Sequence, residues 1–317
     1  MVRERNGLME VEVILHQMLQ LFIMMFLGYL LYKVKLIDGD LIKKLTKLLL
    51  HVTLPAMILA SVLEQEGREK DIGAVAEVFA VGVIVYVLLP LISILVVKLM
   101  HLPKKDQGLY AFMMAYSNVG FMGFPLMDAL FGKTAVFYAG IINIAFNISV
   151  FTLGVILMHI GHSDNKKTLE WKKLMTPGIS ISLLSIIFYL LDVALPEDVV
   201  SVVSSVGNVT TPLAMILIGA TLATMNFRAI FNDWHVYPFA AVRQIVLPLI
   251  FWPILSFFIR DTFILSVVYI LLLLPIANTS VLFATEYDGN EQLAAKSVFI
   301  TTVLAIVTVP LMLMICG

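Results

Sequence analysis

The stretch AYSNVGFMGFPLMDALFG, Ala115 to Gly132, lies inside an apolar run long enough to be a membrane helix, yet it carries Ser117, Asn118, Gly120, Gly123 and Pro125. A second such stretch, ILLLLPIANTSVLFATEYDG from Ile270 to Gly289, holds Pro275, Asn278, Thr279 and Ser280. A proline in a helix interior removes a donor and clashes with the carbonyl four residues back, at about 3 kcal/mol, and glycines loosen the turn further. Backbone groups freed at membrane depth each cost several kcal/mol unless protein or a water-filled cavity satisfies them. The two stretches therefore predict half-helices that end within the membrane. Their N-termini offer free N–H groups and the positive end of a helix dipole, which favours an anion.

The composition around these stretches is that of an integral membrane protein. Hydrophobic residues make up 60% and charged residues 14% of the chain, and the mean hydropathy is +0.98. Ordinary soluble domains are about a quarter charged. Ten apolar segments are long enough to cross a hydrocarbon core of about 30 Å: Val13–Tyr32, Leu41–Leu63, Ala74–Leu99, Gly108–Leu130, Thr134–Ile160, Thr176–Ala194, Ser201–Met225, Val236–Ile259, Phe263–Phe283 and Leu293–Ile315. The first is too long for a signal-peptide core and has no small-residue cleavage site, so it is expected to be an uncleaved span. Net charge of −1 and a pI near 6.6, with no basic stripe, argue against a nucleic-acid partner. The one cysteine, Cys316, excludes a disulfide framework and a CxxC site.

Alternate connections differ in charge. One side holds lysine groups such as Lys43, Lys44 and Lys47, Lys104 and Lys105, and Lys166, Lys167, Lys172 and Lys173; the other holds only Arg3, Arg5, Arg68, Lys70, Lys133 and Arg260. The positive-inside rule puts the first set in the cytoplasm and both termini outside the cell membrane. The longest cytoplasmic connection divides the chain into 1–160, a loop at 161–175, and 176–317. Sliding the sequence by 157 residues brings Val52, Thr53 and Pro55 onto Val209, Thr210 and Pro212, and Gly132 onto Gly289. Five spans per half is odd, so the halves would be inverted repeats, the plan of many secondary transporters. The breaks share a window and not a residue: the same shift places Asn118 on Pro275 and Pro125 on Leu282.

The segments NVGFMGFPL, LPIANTSVLFATEY and LPAMILASVL resemble the auxin efflux carrier family, which contains the plant PIN exporters and bacterial malate and malonate permeases. The resemblance covers essentially the whole chain. It implies an all-α membrane protein of ten helices in two inverted five-helix repeats. It also implies a scaffold part and a transport part, with spans 4 and 9 crossing at their breaks and an organic anion bound beside the crossing. By position, Asn118, Pro125 and Pro275 match the family's asparagine and prolines at the two breaks. The chain lacks the long central loop of the plant members, which looks more like the bacterial branch, and IANTS follows Pro275 where they have QGIVP.

Other residues leave alternatives open. Arg243 lies several residues inside span 8; it either holds a substrate carboxylate or snorkels to the cytoplasmic face. Asn143 and Asn147 share a helix face and either line the cavity or bond neighbouring helices. Glu77, Asp128 and Glu286 lie near span ends, as proton carriers or as solvated interface carboxylates. GKT at Gly132–Thr134 lacks the glycine a phosphate loop needs, and His159 with His162 has no third ligand.

The reading is a secondary carrier for a small organic anion, a mono- or dicarboxylate, without cofactor, metal or catalytic residues. Asn118, Gly120, Gly123, Pro125, Pro275, Asn278, Thr279 and Ser280 would form the site, and Asn143, Asn147 and Arg243 a secondary set. The bilayer is the partner, and carriers of this plan often pair as homodimers. The rival is a membrane anion sensor that binds without transporting, which would need an output domain the short loops do not offer.

Overall fold

The computed structural model describes residues 2–64, 71–160, 177–224 and 234–316. The 161–175 connection with its lysines and His162, and the connections carrying Arg68, Lys70 and Arg228, lie outside the described residues. Every regular element among the described residues is helical. In chain order these are α1 Val2–Lys33, α2 Gly39–Leu63, α3 Ile72–Leu99, α4 Gln107–Ala115, α5 Val119–Phe131, α6 Lys133–Met158, α7 Pro177–Leu191, α8 Glu197–Thr224, α9 Val236–Phe258, α10 Thr262–Leu273, α11 Thr279–Glu286 and α12 Glu291–Cys316. Each of the ten apolar segments coincides with helix. By length and composition, seven helices suffice to cross a membrane: α1 from Leu15, α2, α3, α6, α8, α9 and α12. The helices from segments 4 and 9 fall short because each segment is cut in two, and α7, from segment 6, is described over only 15 residues.

Short polar side chains start several helices. Asp38 accepts from the Leu41 amide, Asp71 from Ala74, Asp261 from Phe263 and Ile264, and Asn290 from Leu293. Each cap satisfies orphan donors of a first turn. Gly132, at φ 71°, ends α5 in a backbone conformation that suits glycine.

Four helices contain a wide π turn: Leu49–Thr53 in α2, Val119–Gly123 in α5, Val150–Gly154 in α6 and Val242–Val246 in α9. In three of them a proline follows two residues after the turn ends: Pro55, Pro125 and Pro248. A proline cannot donate and pushes away the carbonyl four residues back, so the preceding turn opens.

The helices pack as two sets. In one, α1 lies along α8, and α2 packs on α7 and α8. The other is built from α3–α6 and α9–α12, with α3 against α4 and α6, and α12 against α9, α10 and α11. The sets meet where α2 and α7 touch α6 and where α1 and α8 touch α5. Within the first set, α1 and α8 approach at two glycines: a Cβ on Gly219 would overlap the Met25 carbonyl, and one on Gly28 the Ile216 carbonyl.

Large apolar side chains stay exposed along α1 (Leu19, Ile23, Phe26), α3 (Ile84, Leu91, Leu95), α9 (Ile250, Phe257, Phe258) and α12 (Val307, Met314, Ile315). These are the faces a bilayer would cover. The interrupted helices are instead enclosed by protein: Gly108 to Ala115 are buried without exception, as is nearly all of α10. Irregular backbone at membrane depth is tolerated where protein surrounds it.

Candidate functional site

The two interruptions meet. The Asn118 amide donates to the Pro275 carbonyl at 2.8 Å and the Ala277 amide to the Tyr116 carbonyl at 3.1 Å, forming an isolated antiparallel bridge centred on Ser117 and Ile276. Extended residues at each break thus satisfy one another where the helical ladder stops. Asn118 caps α5, its side-chain oxygen accepting from Phe121 N at 3.4 Å, and its carbonyl accepts from Met122 and Gly123. The first break therefore falls at Tyr116–Asn118, seven residues before Pro125. Pro125 sits in the first α-helical turn after the wide turn and shapes it, whereas Pro275 lies in the second break itself.

The neighbours that brace the crossing come from α9, α12 and α6. Arg243, 3% exposed, donates from Nη1 to the Leu272 carbonyl at 2.8 Å and from Nη2 to Ser117 Oγ at 2.6 Å. Pro275 and the rerouted Ile276 amide leave α10 with free terminal carbonyls, and the guanidinium meets that negative end of the half-helix. Among the described residues no carboxylate pairs with Arg243. The Ile276 amide goes to Thr301 Oγ1 at 3.3 Å, and Gln244 Nε2 donates to the Thr301 carbonyl at 2.7 Å. On the other side the Tyr116 hydroxyl donates to the Ser149 carbonyl at 2.9 Å.

A cavity of about 260 Å³ adjoins the N-terminal ends of α5 and α11. Its polar lining is Ser117, Asn118, Asn143, Asn147, Asn278, Thr279 and His51; its apolar lining includes Leu50, Leu54, Phe121, Phe124, Phe146, Val150 and Phe151. Among the described residues no Asp, Glu, Lys or Arg lines it. Asn147 Nδ2 is taken by the Asn143 carbonyl at 2.7 Å. The side-chain nitrogen Nδ2 of Asn118 and the side-chain amides of Asn143 and Asn278 have no protein partner among the described residues. The described residues thus gather donors, and no formal charge, beside two helix N-termini.

Of the residues singled out in the sequence, Asn118, Gly120, Asn143, Asn147, Asn278 and Thr279 line this cavity. Gly123, Pro125, Pro275, Ser280 and Arg243 do not. A Cβ on Gly120 would meet nothing within 4 Å, so that glycine faces open space, whereas one on Gly123 would lie 3.0 Å from Leu274 and 3.3 Å from Leu271. Gly123 lets α5 lie close against α10. Ser280 is fully buried away from the cavity, and Arg243 neither points into the cavity nor reaches a membrane face. Ser117 and His51 are lining residues the sequence reading left out. His51 follows the lysine-rich entry of α2, and only the wide turn at Leu49–Thr53 reveals where it faces.

Described residues that are helical throughout their regular elements, with two broken helices crossing beside a largely apolar pocket set with amides, point to the class of membrane transport proteins. Residues 13–313 match the family model described as membrane transport protein, so the chain is a member of that family, the auxin efflux carriers. It is also similar to an uncharacterized transporter of Methanothermobacter thermautotrophicus, with 22% identity over 297 residues, covering 92% of this chain and 95% of the relative.

Proposed function

We propose that the protein is a secondary carrier for a small organic anion, bound in the cavity beside the crossing, with one carboxylate and an apolar body. The free amides of Asn118, Asn143 and Asn278, beside the N-termini of α5 and α11, are the observation that carries this reading. Donors fixed at helix N-termini suit a carboxylate, and the described lining has no acidic group to repel it. Phe121, Phe124, Phe146 and Phe151 suit an apolar body; a second carboxylate against those rings would be desolvated without a partner.

In this reading the ten helical passes form two inverted repeats of five in the cell membrane. Helix boundaries support it: shifted by 157 residues, α4 falls on 264–272, inside α10, and α6 on 290–315, against α12. The two packed sets would act as scaffold (α1, α2, α7, α8) and moving part, sliding past each other to expose the site alternately. Leu50 and His51 of α2, Phe151 of α6 and Pro177 of α7 border the cavity. Phe151 and Pro177 lie toward the lysine-rich connection and Leu50 and His51 at the middle of α2, so in this reading the cavity is nearer the cytoplasmic side. Toward the other side, Lys133 Nζ bonds Asp128 at 3.2 Å and Asn208 at 3.1 Å, linking α5 and α6 to α8.

The test of the carrier reading is uptake by proteoliposomes of labelled benzoate and octanoate beside malonate. The two monocarboxylates are expected to be favoured, and Asn118→Ala to lose about 10- to 100-fold in flux, the worth of one hydrogen bond to a charged group. Undiminished flux in the variant would remove Asn118 from the site. Binding without flux would leave the sensor reading in its place.

The Lys133 contacts predict a smaller effect. They are partly exposed, so breaking them is worth less than about 1 kcal/mol. Lys133→Met is therefore expected to raise labelling of a Gly120→Cys variant from the outer side about two- to five-fold. Unchanged labelling would mean that these contacts do not hold the outer side closed.

A further inference from the structure

We infer that His51 makes carboxylate binding in this cavity pH-dependent, acting as a charge partner that switches on when its ring is protonated. The inference rests on the carboxylate reading above and adds a residue and a specificity that reading does not contain. Among the described residues, His51 is the one titratable side chain that lines the cavity. It lies in the wide turn of α2 at Leu49–Thr53, on the helix set opposite Asn118, Asn143 and Asn278, and so reaches the ligand from the other wall.

The ring's own hydrogen bond sets the direction of the switch. Nδ1 lies 3.0 Å from the Lys47 carbonyl, which can only accept. Nδ1 therefore carries a proton in both charge states, and the change of state occurs at Nε2. In the neutral ring Nε2 is a lone-pair acceptor, which repels a carboxylate. In the protonated ring it is a charged donor, which binds one. The amides on the facing wall donate at every pH.

Among the described residues, the surroundings leave that change to His51. On its own helix the charged residues are Asp40 in the first turn and Lys43, Lys44 and Lys47. Around it, α7 has no charged residue, α8 only Glu197 and Asp198 in its first turn, α6 only Lys133 at its start, α5 only Asp128, and α11 only Glu286 at its end. None of these lines the cavity.

The test is equilibrium binding of labelled benzoate, which stays ionised from pH 5.5 to 8.5, to the purified full-length protein. The wild type is expected to weaken about tenfold across that range, the worth of one charge-assisted hydrogen bond. His51→Leu should bind with the weaker, pH-independent affinity, and His51→Arg should be nearly flat with the tighter one. Asn143→Ala should weaken binding by the same factor at every pH. A wild-type profile that is flat, or a leucine variant that keeps the slope, overturns the inference. Benzoate flux measured in parallel separates the two readings. Binding without flux removes the carrier, while the pH profile still decides His51. Absence of binding by the wild type at every pH overturns both.

Discussion

Arg243→Leu is expected to lower flux by about 30- to 1000-fold while leaving the folded protein nearly as stable as before. Two opposing magnitudes lead to that split. The substitution strips the partners from the Leu272 carbonyl and Ser117 Oγ, both buried, at about 1–3 kcal/mol each. It also removes a cation whose placement in a membrane helix costs roughly 2.5–3.5 kcal/mol. The two nearly cancel in stability, so the melting temperature in detergent should move by only a few degrees.

They do not cancel at the site. Ser117 accepts from Arg243 and lines the cavity, so the arginine fixes where that hydroxyl can direct its own proton. It also fixes where the ends of α4 and α10 lie. If about 2–4 kcal/mol of the roughly 2–6 kcal/mol those two partners represent is felt at the crossing, the stated range in flux results. Arg243→Lys should fall between, because an ammonium is a point charge and cannot span both acceptors as the guanidinium fork does. Thermal stability and proteoliposome uptake, measured on the same preparations, test the split. Near-normal flux in the leucine variant would show that the crossing holds its geometry without Arg243.

The breaks were readable in the sequence because the signal is local. Proline, asparagine and glycine inside an apolar run announce a freed backbone whatever surrounds it, and the helices coincide with the apolar segments for the same reason. What each residue of a break does depends on the partner across the crossing, which no local pattern contains. Gly120 and Gly123 look alike in sequence, yet one faces open space and the other abuts Leu271 and Leu274. Thr279 lines the cavity and Ser280, next to it, is buried elsewhere. Arg243 offered two readings, substrate and surface, and the structure gives it a third partner, the free end of α10. That partner exists only because Pro275 cut the helix 32 residues away in sequence. Ser117 and His51 were missed because a serine beside an asparagine and a histidine beside lysines carry no distinguishing signal until the turns that aim them are known.

Gly219→Val is expected to prevent recovery of a folded, monodisperse protein, although Gly219 is far from every proposed binding residue in sequence. Its Cβ would overlap the Met25 carbonyl and crowd the Tyr29 amide, and these are backbone atoms that cannot rotate aside. The remedy is to separate α1 from α8. That also undoes the reciprocal fit in which Gly28 lies against the Ile216 carbonyl. Between helices in a membrane, close packing of small residues is a principal source of attraction, since lipid tails are as apolar as the side chains they would replace. Overpacking a tight contact costs about 1–3 kcal/mol when side chains can yield; rigid backbone on both sides puts this case at or above the upper figure. Gly219→Ala should show the same defect in weaker form. Gly39→Ala, at a site where a Cβ meets nothing within 4 Å, is the matched control and should be neutral. Size-exclusion profiles after stepwise heating read all three variants. A valine variant that elutes and melts like the wild type would mean that α1 and α8 can part without loss, and that the scaffold is held by its other contacts.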